Sequence, residues 1–263
     1  MDVDGGTVGP SMTDDAVDDA VVDGAEDGGV NDAASRSFFA EAEELSALIS
    51  GIVQPAADEL EQEARFERSQ AILDKYQEMP QLLNPYLEAM LTPLIQAVYQ
   101  VVQLPEGGHS IDLVTIARLI YVVSKVRGYK SVVSYFPHEV HLLEPVFHYY
   151  LRQKPVPETW EVRYVLLLWL SNIVLIPFNL GTVDSNDLAD GLVGSMVKAC
   201  QEGLSDTGIA REGSAFLLAR LLTRPDTPQQ LHRFLIWATP IVDGEGTEAV
   251  TGPFQEVGVL LTL

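Results

Sequence analysis

The sequence predicts an all-α chain whose helices stack in pairs. Three observations carry that reading. The first is the stretch Trp160 to Ser171, WEVRYVLLLWLS, in which every residue from Tyr164 to Leu170 is apolar. A bilayer span needs about 20 predominantly apolar residues. The apolar run here is shorter, carries Ser171 and Asn172, and stops at Pro177. A helix apolar all round belongs in the interior of a larger helical body. The second observation is a spacing. Helix–loop–helix units open near Asp58, Ser110, Glu158 and Asp206, about 50 residues apart, slightly longer than the 40–47 of HEAT and armadillo repeats. The third is the weakness of strand signals: the apolar segments are too long, and no two-residue hairpin turn separates alternating runs. The fold class is therefore an α-solenoid of HEAT/armadillo-like helix pairs, with an irregular helical domain as the other option.

The elements follow in order. Residues 1–37 form an expected disordered acidic tail, since Gly, Asp, Ala and Val cannot bury enough apolar surface to offset chain entropy. The helical array occupies 38–263. Phe38 to Ile49 reads as a short helix, and Glu59 to Glu78 as a second with Phe66, Leu73 and Tyr76 on one side. Asn84 to Gln103 carries Leu87, Leu91, Leu94, Val98 and Val101 at helical spacing, with Pro85 in its first turn. Ser110 is the expected N-cap of a helix from Ile111 to Arg127, and Gly128 the expected left-handed residue after it. Glu139 to Gln153 follows, with Pro145 as an expected kink. Glu158 to Ile176 is the buried helix, with Leu168 and Trp169 in the core. Leu188 to Glu202 shows a stripe of Leu188, Leu192, Met196 and Cys200. Thr207 to Leu222 and Pro228 to Ala238 complete the series, the last with Thr227 as N-cap and Pro228 at the first helical position. The chain ends in the apolar run GVLLTL, Gly258 to Leu263, without a polar cap. Solenoids need one for solubility, so a longer array is expected.

Charge narrows the function classes. The net charge is −22, and the first 34 residues hold ten acids and no Lys or Arg. The other 229 residues carry 28 acids against 16 bases. Such a surface repels phosphate backbones and anionic lipid, so neither nucleic acid nor membrane insertion is expected. One cysteine, Cys200, permits no internal disulfide. With no signal or transit peptide pattern, a cytosolic location is expected.

Candidate chemistry is sparse. PHEVH, Pro137 to His141, places His138 and His141 three apart, whereas zinc-protease helices need four. Ser195 and Lys198 fit S-x-x-K without its companion motifs. Cys200 lies on an apolar stripe and reads as a buried structural thiol. Glu158 and Glu161 near Arg163, and Asp226 near Arg224, are acid/base candidates or surface pairs. The island Lys125 to Lys130, KVRGYK, is the densest positive segment. Lys125, Arg127, Tyr129 and Lys130 either close a helix C-terminus, which favours cations, or meet an acidic protein partner. A hydrolase built on His138 and Glu139 and a generic repeat adaptor are the competing functions.

Several strings are recognisable together: DKYQE at Asp74, LLNPYLE at Leu82, KVRGYK, FPHEV at Phe136, LEPV at Leu143, WEVRYVLLLWLS, LIPF at Leu175 and TRPD at Thr223. In this order they resemble the N-terminal region of the tubulin-folding cofactor D family, from about Arg65 to Val242. Residues 179–206 are less alike, the acidic tail has no counterpart, and a full member is far longer. The resemblance implies a non-catalytic HEAT/armadillo-type chaperone scaffold without a small-molecule cofactor. It implies β-tubulin, tubulin cofactors C and E and an Arf-like small GTPase as partners. It further implies assembly of the αβ heterodimer after chaperonin release, stimulation of GTP hydrolysis by tubulin, and a cytoplasmic location on the microtubule cytoskeleton.

Overall fold

The computed structural model describes residues 38–55, 58–104, 111–183, 190–244 and 252–263. The tail at 1–37, the loop LPEGG beyond Leu104, Ser110 and Leu188 lie outside the described residues. Among the described residues the chain forms α-helices and short 3-10 segments and no strand. The helices are α1 Ala42–Ile52, α2 Glu59–Asp74, α3 Leu87–Gln103, α4 Leu113–Arg127, α5 Tyr129–Val133, α6 Leu143–Arg152, α7 Trp160–Ile173, α8 Gly191–Gly203, α9 Ala210–Leu222, α10 Pro228–Val242 and α11 Pro253–Thr262.

Five antiparallel pairs result: α1 with α2, α3 with α4, α6 with α7, α8 with α9, and α10 with α11. The second helices stack in the order α2, α4, α7, α9, α11, and α1, α3, α6 and α8 flank them. This is the expected solenoid in a different register. The units starting at Asp58, Ser110, Glu158 and Asp206 open on second helices, not first ones. A repeat period is the same whichever helix opens the unit, so spacing alone does not fix the pairing.

Helix α7 holds the array together. It packs on α4, α5, α6 and α9, so its middle turns leave no face for solvent. Residues Tyr164 to Leu170 are all buried, which accounts for the uninterrupted apolar run. Leu168 and Trp169 are fully buried, as expected. The Trp169 ring sits 5.8 Å from Phe136 and 6.3 Å from Tyr99. Its Nε1–H donates to the Pro137 carbonyl at 2.6 Å. Gly213 lets α9 approach closely: a Cβ there would lie 3.2 Å from Tyr164 Cδ2.

Helix boundaries differ from the sequence reading for local reasons. Helix α4 starts at Leu113, where the Asp112 carboxylate accepts from the Thr115 N–H at 3.1 Å. Pro85 falls in the 3-10 segment Pro80–Tyr86 ahead of α3. Pro145 is the third residue of α6, where its missing N–H would have no helical partner, so it makes no break. Thr227 does not cap α10; its hydroxyl donates back to the Leu221 carbonyl at 2.5 Å. Helix α10 runs past Ala238 to Val242 despite Pro240, because Ile241 is buried. The final apolar run is helical, and α11 lies on α9 through Gly258, Val259 and Thr262.

Each of the first four pairs is closed at its base by the end of its second helix. After α2, the Tyr76 hydroxyl donates to Glu41, and Lys75 pairs with Glu41 at 2.9 Å. At the end of α4, Arg127 donates to Asn84. From α7, Trp169 reaches Pro137 and Asn172 donates to the Phe136 carbonyl at 3.3 Å. From α9, Arg220 donates to the Ser171 carbonyl of α7 at 2.8 Å, tying the fourth pair to the third. Arg224, just beyond α9, donates to the carbonyls of Val174, Ile176 and Phe178. It also grips Asp226 through two bonds of 2.8 and 2.9 Å, and Asp226 accepts from the Leu180 N–H at 3.0 Å.

Two stability predictions follow from these contacts. Trp169→Ala should cost about 3–5 kcal/mol in denaturant unfolding. Trp169→Phe should cost about 1–3 kcal/mol, because it leaves the Pro137 carbonyl without its donor; a neutral Trp169→Phe would show that water replaces that bond. The second concerns pH. Bonds from Arg224 hold the Asp226 carboxyl below its ordinary value, against the opposing effect of burial. A carboxylate with a depressed folded pKa stabilises at neutral pH and loses that effect as pH falls through the folded pKa. Asp226→Asn should therefore destabilise at pH 7, and its difference from the wild type should shrink below about pH 4. A difference independent of pH would assign the effect to the neutral hydrogen bonds instead.

Candidate interaction edge

The closures place the segments leading into the first helices along one edge of the solenoid. Residues 134–138 and 172–177 border a shared cleft of about 510 Å³, lined by Ser134, His138, Asn172, Leu175, Ile176 and Pro177. On the other side of 174–179, a second cleft of about 470 Å³ is walled by Arg220, Thr223, Arg224, Pro225 and Asp226. Between the clefts runs a ridge. Leu175 is 55% exposed and Phe178 46% exposed, with Pro177 between them. The Arg224 guanidinium, only 9% exposed, fixes this ridge from beneath. The ridge therefore presents two large apolar side chains on a segment anchored through three of its carbonyls.

The predicted basic island lies on the same edge but is not one patch. Lys125 comes within 3.9 Å of the Asp74 carboxylate, and Arg127 is engaged with Asn84. Gly128 has positive φ (93°), as expected for the residue after α4. The chain does not open into a projecting turn there. Tyr129 begins α5 and stacks on Phe216 of α9, with centroids 4.3 Å apart and planes 17° apart. Lys130 is exposed and makes no ion pair with a described residue. Two of the island's cations thus brace neighbouring elements, and Lys130 is exposed.

The catalytic candidates do not assemble. His138, Glu139 and His141 are all exposed, so a hydrolase centred on them has no enclosed pocket. Among the described residues no group of three metal-binding side chains gathers. Cys200 is buried, and burial pushes its thiol far up, away from the reactive thiolate. Lys198 is exposed on α8. Arg163 pairs with neither Glu158 nor Glu161. It donates to the Gln153 carbonyl at 2.9 Å and the Tyr150 hydroxyl at 2.7 Å. Asp226 is a structural partner of Arg224. No helix among the described residues is long and apolar enough to cross a membrane.

Sequence reasoning missed the Arg224 hub and the ridge it holds. The available signal was the pair of proline-bearing strings LIPF and TRPD, each interrupting a helical pattern. They are about 46 residues apart in the chain and bonded in space.

Comparison with known proteins adds the family. The family model described as tubulin-specific chaperone D-like, ARM repeat, matches residues 73–242. The tubulin-folding cofactor D of Schizosaccharomyces pombe is 26% identical over 192 residues, covering 73% of this chain and 17% of that protein. The tubulin-specific chaperone D of Dictyostelium discoideum is 25% identical over 298 residues, covering 77% of this chain and 20% of that protein. The chain thus spans about a fifth of the length of the curated relatives it matches. No solved structure matches it. The matched region takes in α3 to α10 and every closure from Arg127 to Asp226, and the chain belongs to the tubulin-specific chaperone D-like ARM-repeat family.

Proposed function

We propose that this chain is part of a tubulin chaperone scaffold and that its ridged edge binds β-tubulin. The observation that supports this most is the Leu175–Phe178 ridge, held rigid by Arg224 between two clefts. A preorganised segment loses little conformational freedom on binding, so its apolar contacts translate more fully into affinity. The tubulin cofactors named in the matched relatives supply the partner. Extended solenoid edges suit a large folded client better than a small molecule. On this reading the chain acts in the cytoplasm on the microtubule cytoskeleton. Cofactors C and E and an Arf-like small GTPase join the same scaffold. Together they assemble the αβ heterodimer and stimulate GTP hydrolysis by tubulin, with no catalytic group supplied by this chain. Lys130 is the island residue free to meet acidic tubulin; Lys125, Arg127 and Tyr129 set the edge beneath it.

The test is capture of purified tubulin by the chain. Leu175→Asp with Phe178→Asp should weaken capture at least tenfold and leave the melting temperature within a few degrees. Capture equal to wild type would remove the ridge from the site, and no capture by the wild type would remove tubulin as this segment's partner. Charge reversal separates the island's two roles. Lys130→Glu should weaken capture and reduce its salt dependence without loss of stability. Arg127→Glu should instead lower stability by about 1 kcal/mol through loss of the Asn84 bond and the helix-end cation. Unchanged capture by Lys130→Glu would leave the island as bracing alone.

A further inference from the structure

The far end of α7 carries a second constellation, which the edge does not use. Trp160, Glu161 and Tyr164 lie in its first two turns, about 20 Å along the helix from the ridge. Tyr121 of α4 meets Trp160 edge to face at 4.7 Å and Tyr164 at 5.6 Å. Trp160 and Tyr164 are 6.4 Å apart, inclined at 60°. Glu212 of α9 is placed beside Tyr164 by the tight Gly213 contact. Tyr121, Trp160, Glu161 and Glu212 are half-buried. Neither carboxylate has an ion pair with a described residue; Glu161 accepts from its own backbone N–H, and Arg118 is near enough to favour its charged form.

The chain contains a filled version of this arrangement. On α2, Glu63 and Phe66 stand three residues apart. Arg118 from the neighbouring second helix α4 lies 3.8 Å over the Phe66 ring. Its guanidinium makes two bonds to Glu63, of 2.6 and 2.9 Å. On α7, Glu161 and Tyr164 repeat the same carboxylate–aromatic spacing. The neighbouring second helix there is α9, and its arginines are committed elsewhere. Arg211 donates to the Asp206 carbonyl at 3.0 Å, and Arg220 to Ser171. In place of a cation, α9 contributes Glu212.

We propose that Tyr121 and Trp160, with Glu161 and Glu212, receive an arginine side chain from a protein partner, with the buried Tyr164 packed behind Tyr121. An arginine suits both halves of the site. Its planar guanidinium stacks on aromatic faces, and its fork of donors fits carboxylates. The aromatic ring quadrupoles and two negative charges point the same way, and a second anion would be repelled. Electrostatics agree with the geometry. Burial pushes the Glu161 carboxyl above its ordinary value, and the Tyr121 phenol is raised by burial and then by Glu212 and Glu161. A cation seated between them would relieve both. The bland account is that Glu161 and Glu212 occupy the first turns of α7 and α9, where the helix dipole favours acids. That account needs none of the aromatic rings and predicts no ligand.

A titration decides between them. The 263-residue chain is titrated with the peptide acetyl-Gly-Arg-Gly-Arg-Gly-amide and with its citrulline counterpart, and the Trp160 indole N–H signal is followed by NMR. The arginine peptide should give a saturable shift, and the citrulline peptide should bind at least tenfold more weakly. Glu161→Gln with Glu212→Gln should weaken the arginine peptide at least tenfold, and Tyr121→Leu several-fold. Glu59→Gln with Glu67→Gln, on exposed positions of α2, should change it less than twofold. Equal binding of the citrulline peptide, an unmoved Trp160 signal, or an equal loss in the α2 variant would overturn the proposal. So would a lowered melting temperature in Glu161→Gln with Glu212→Gln alongside unchanged binding, which is the helix-dipole outcome. Tubulin capture through the ridge is a separate readout, so either proposal can fail alone.

Discussion

The array depends on closing each helix pair at its base. A segment leading into a helix exposes carbonyls that no helix satisfies, and buried ones are costly unless bonded. At the third and fourth pairs the second helix, or the residue just beyond it, supplies the donors. Trp169 and Asn172 do it for the third pair and Arg224 for the fourth, while the first pair is tied through the Glu41 carboxylate by Tyr76 and Lys75 and the second through the Asn84 side chain by Arg127. Bonds to charged groups are worth about 1.5–3 kcal/mol each, without simple additivity. The Arg224 site, with its several carbonyls and Asp226, is therefore the strongest clasp. It is also nearly dry, so solvent does little to screen it. Because a solenoid's repeats touch only their neighbours, there is no distant contact to compensate for an open pair.

That constraint accounts for what the sequence disclosed and what it hid. The apolar run of α7 was legible because a helix with neighbours on four sides has no reason to carry polar residues from Tyr164 to Leu170. The stripes of α3 and α8 were legible because each buries one face. The pairing register was hidden, since period and spacing are unchanged by a shift of one helix. Helix ends were hidden wherever a proline sat harmlessly in a first turn, as Pro145 does, or where packing outweighed a missing donor, as at Pro240. The cap of α4 could be misassigned because Ser110 and Asp112 are equally good capping types, and only geometry gives the bond to Thr115.

The candidate edge was half legible for a related reason. KVRGYK stood out by charge, yet charge does not reveal whether a cation is engaged. Arg127 and Lys125 face partners on elements more than 40 residues away, and only Lys130 has none among the described residues. LIPF and TRPD stood out as recognisable strings, but no local rule links Arg224 to a carbonyl 46 residues earlier in the chain. Long-range clasps leave single-residue marks in a sequence, and such marks do not show their partners.

The two proposed binding regions occupy opposite ends of α7, and each is a departure from the rule that governs the rest. At the edge, Arg224 binds the carbonyls of Val174, Ile176 and Phe178 while Leu175 and Phe178 remain partly in solvent, so apolar surface is presented on an anchored segment. At the other end, Arg118 bonds Glu63 over the Phe66 ring, whereas Glu161 feels the charge of that same Arg118 without a bond to it. Self-similar repeats make such departures informative. One arrangement is bonded by an arginine from inside and the other is not, and that difference is what the arginine proposal accounts for. In a chain of net charge −22, two half-buried carboxylates without an ion pair leave room for a cation from outside, beyond what Arg118 and the two helix N-termini already supply.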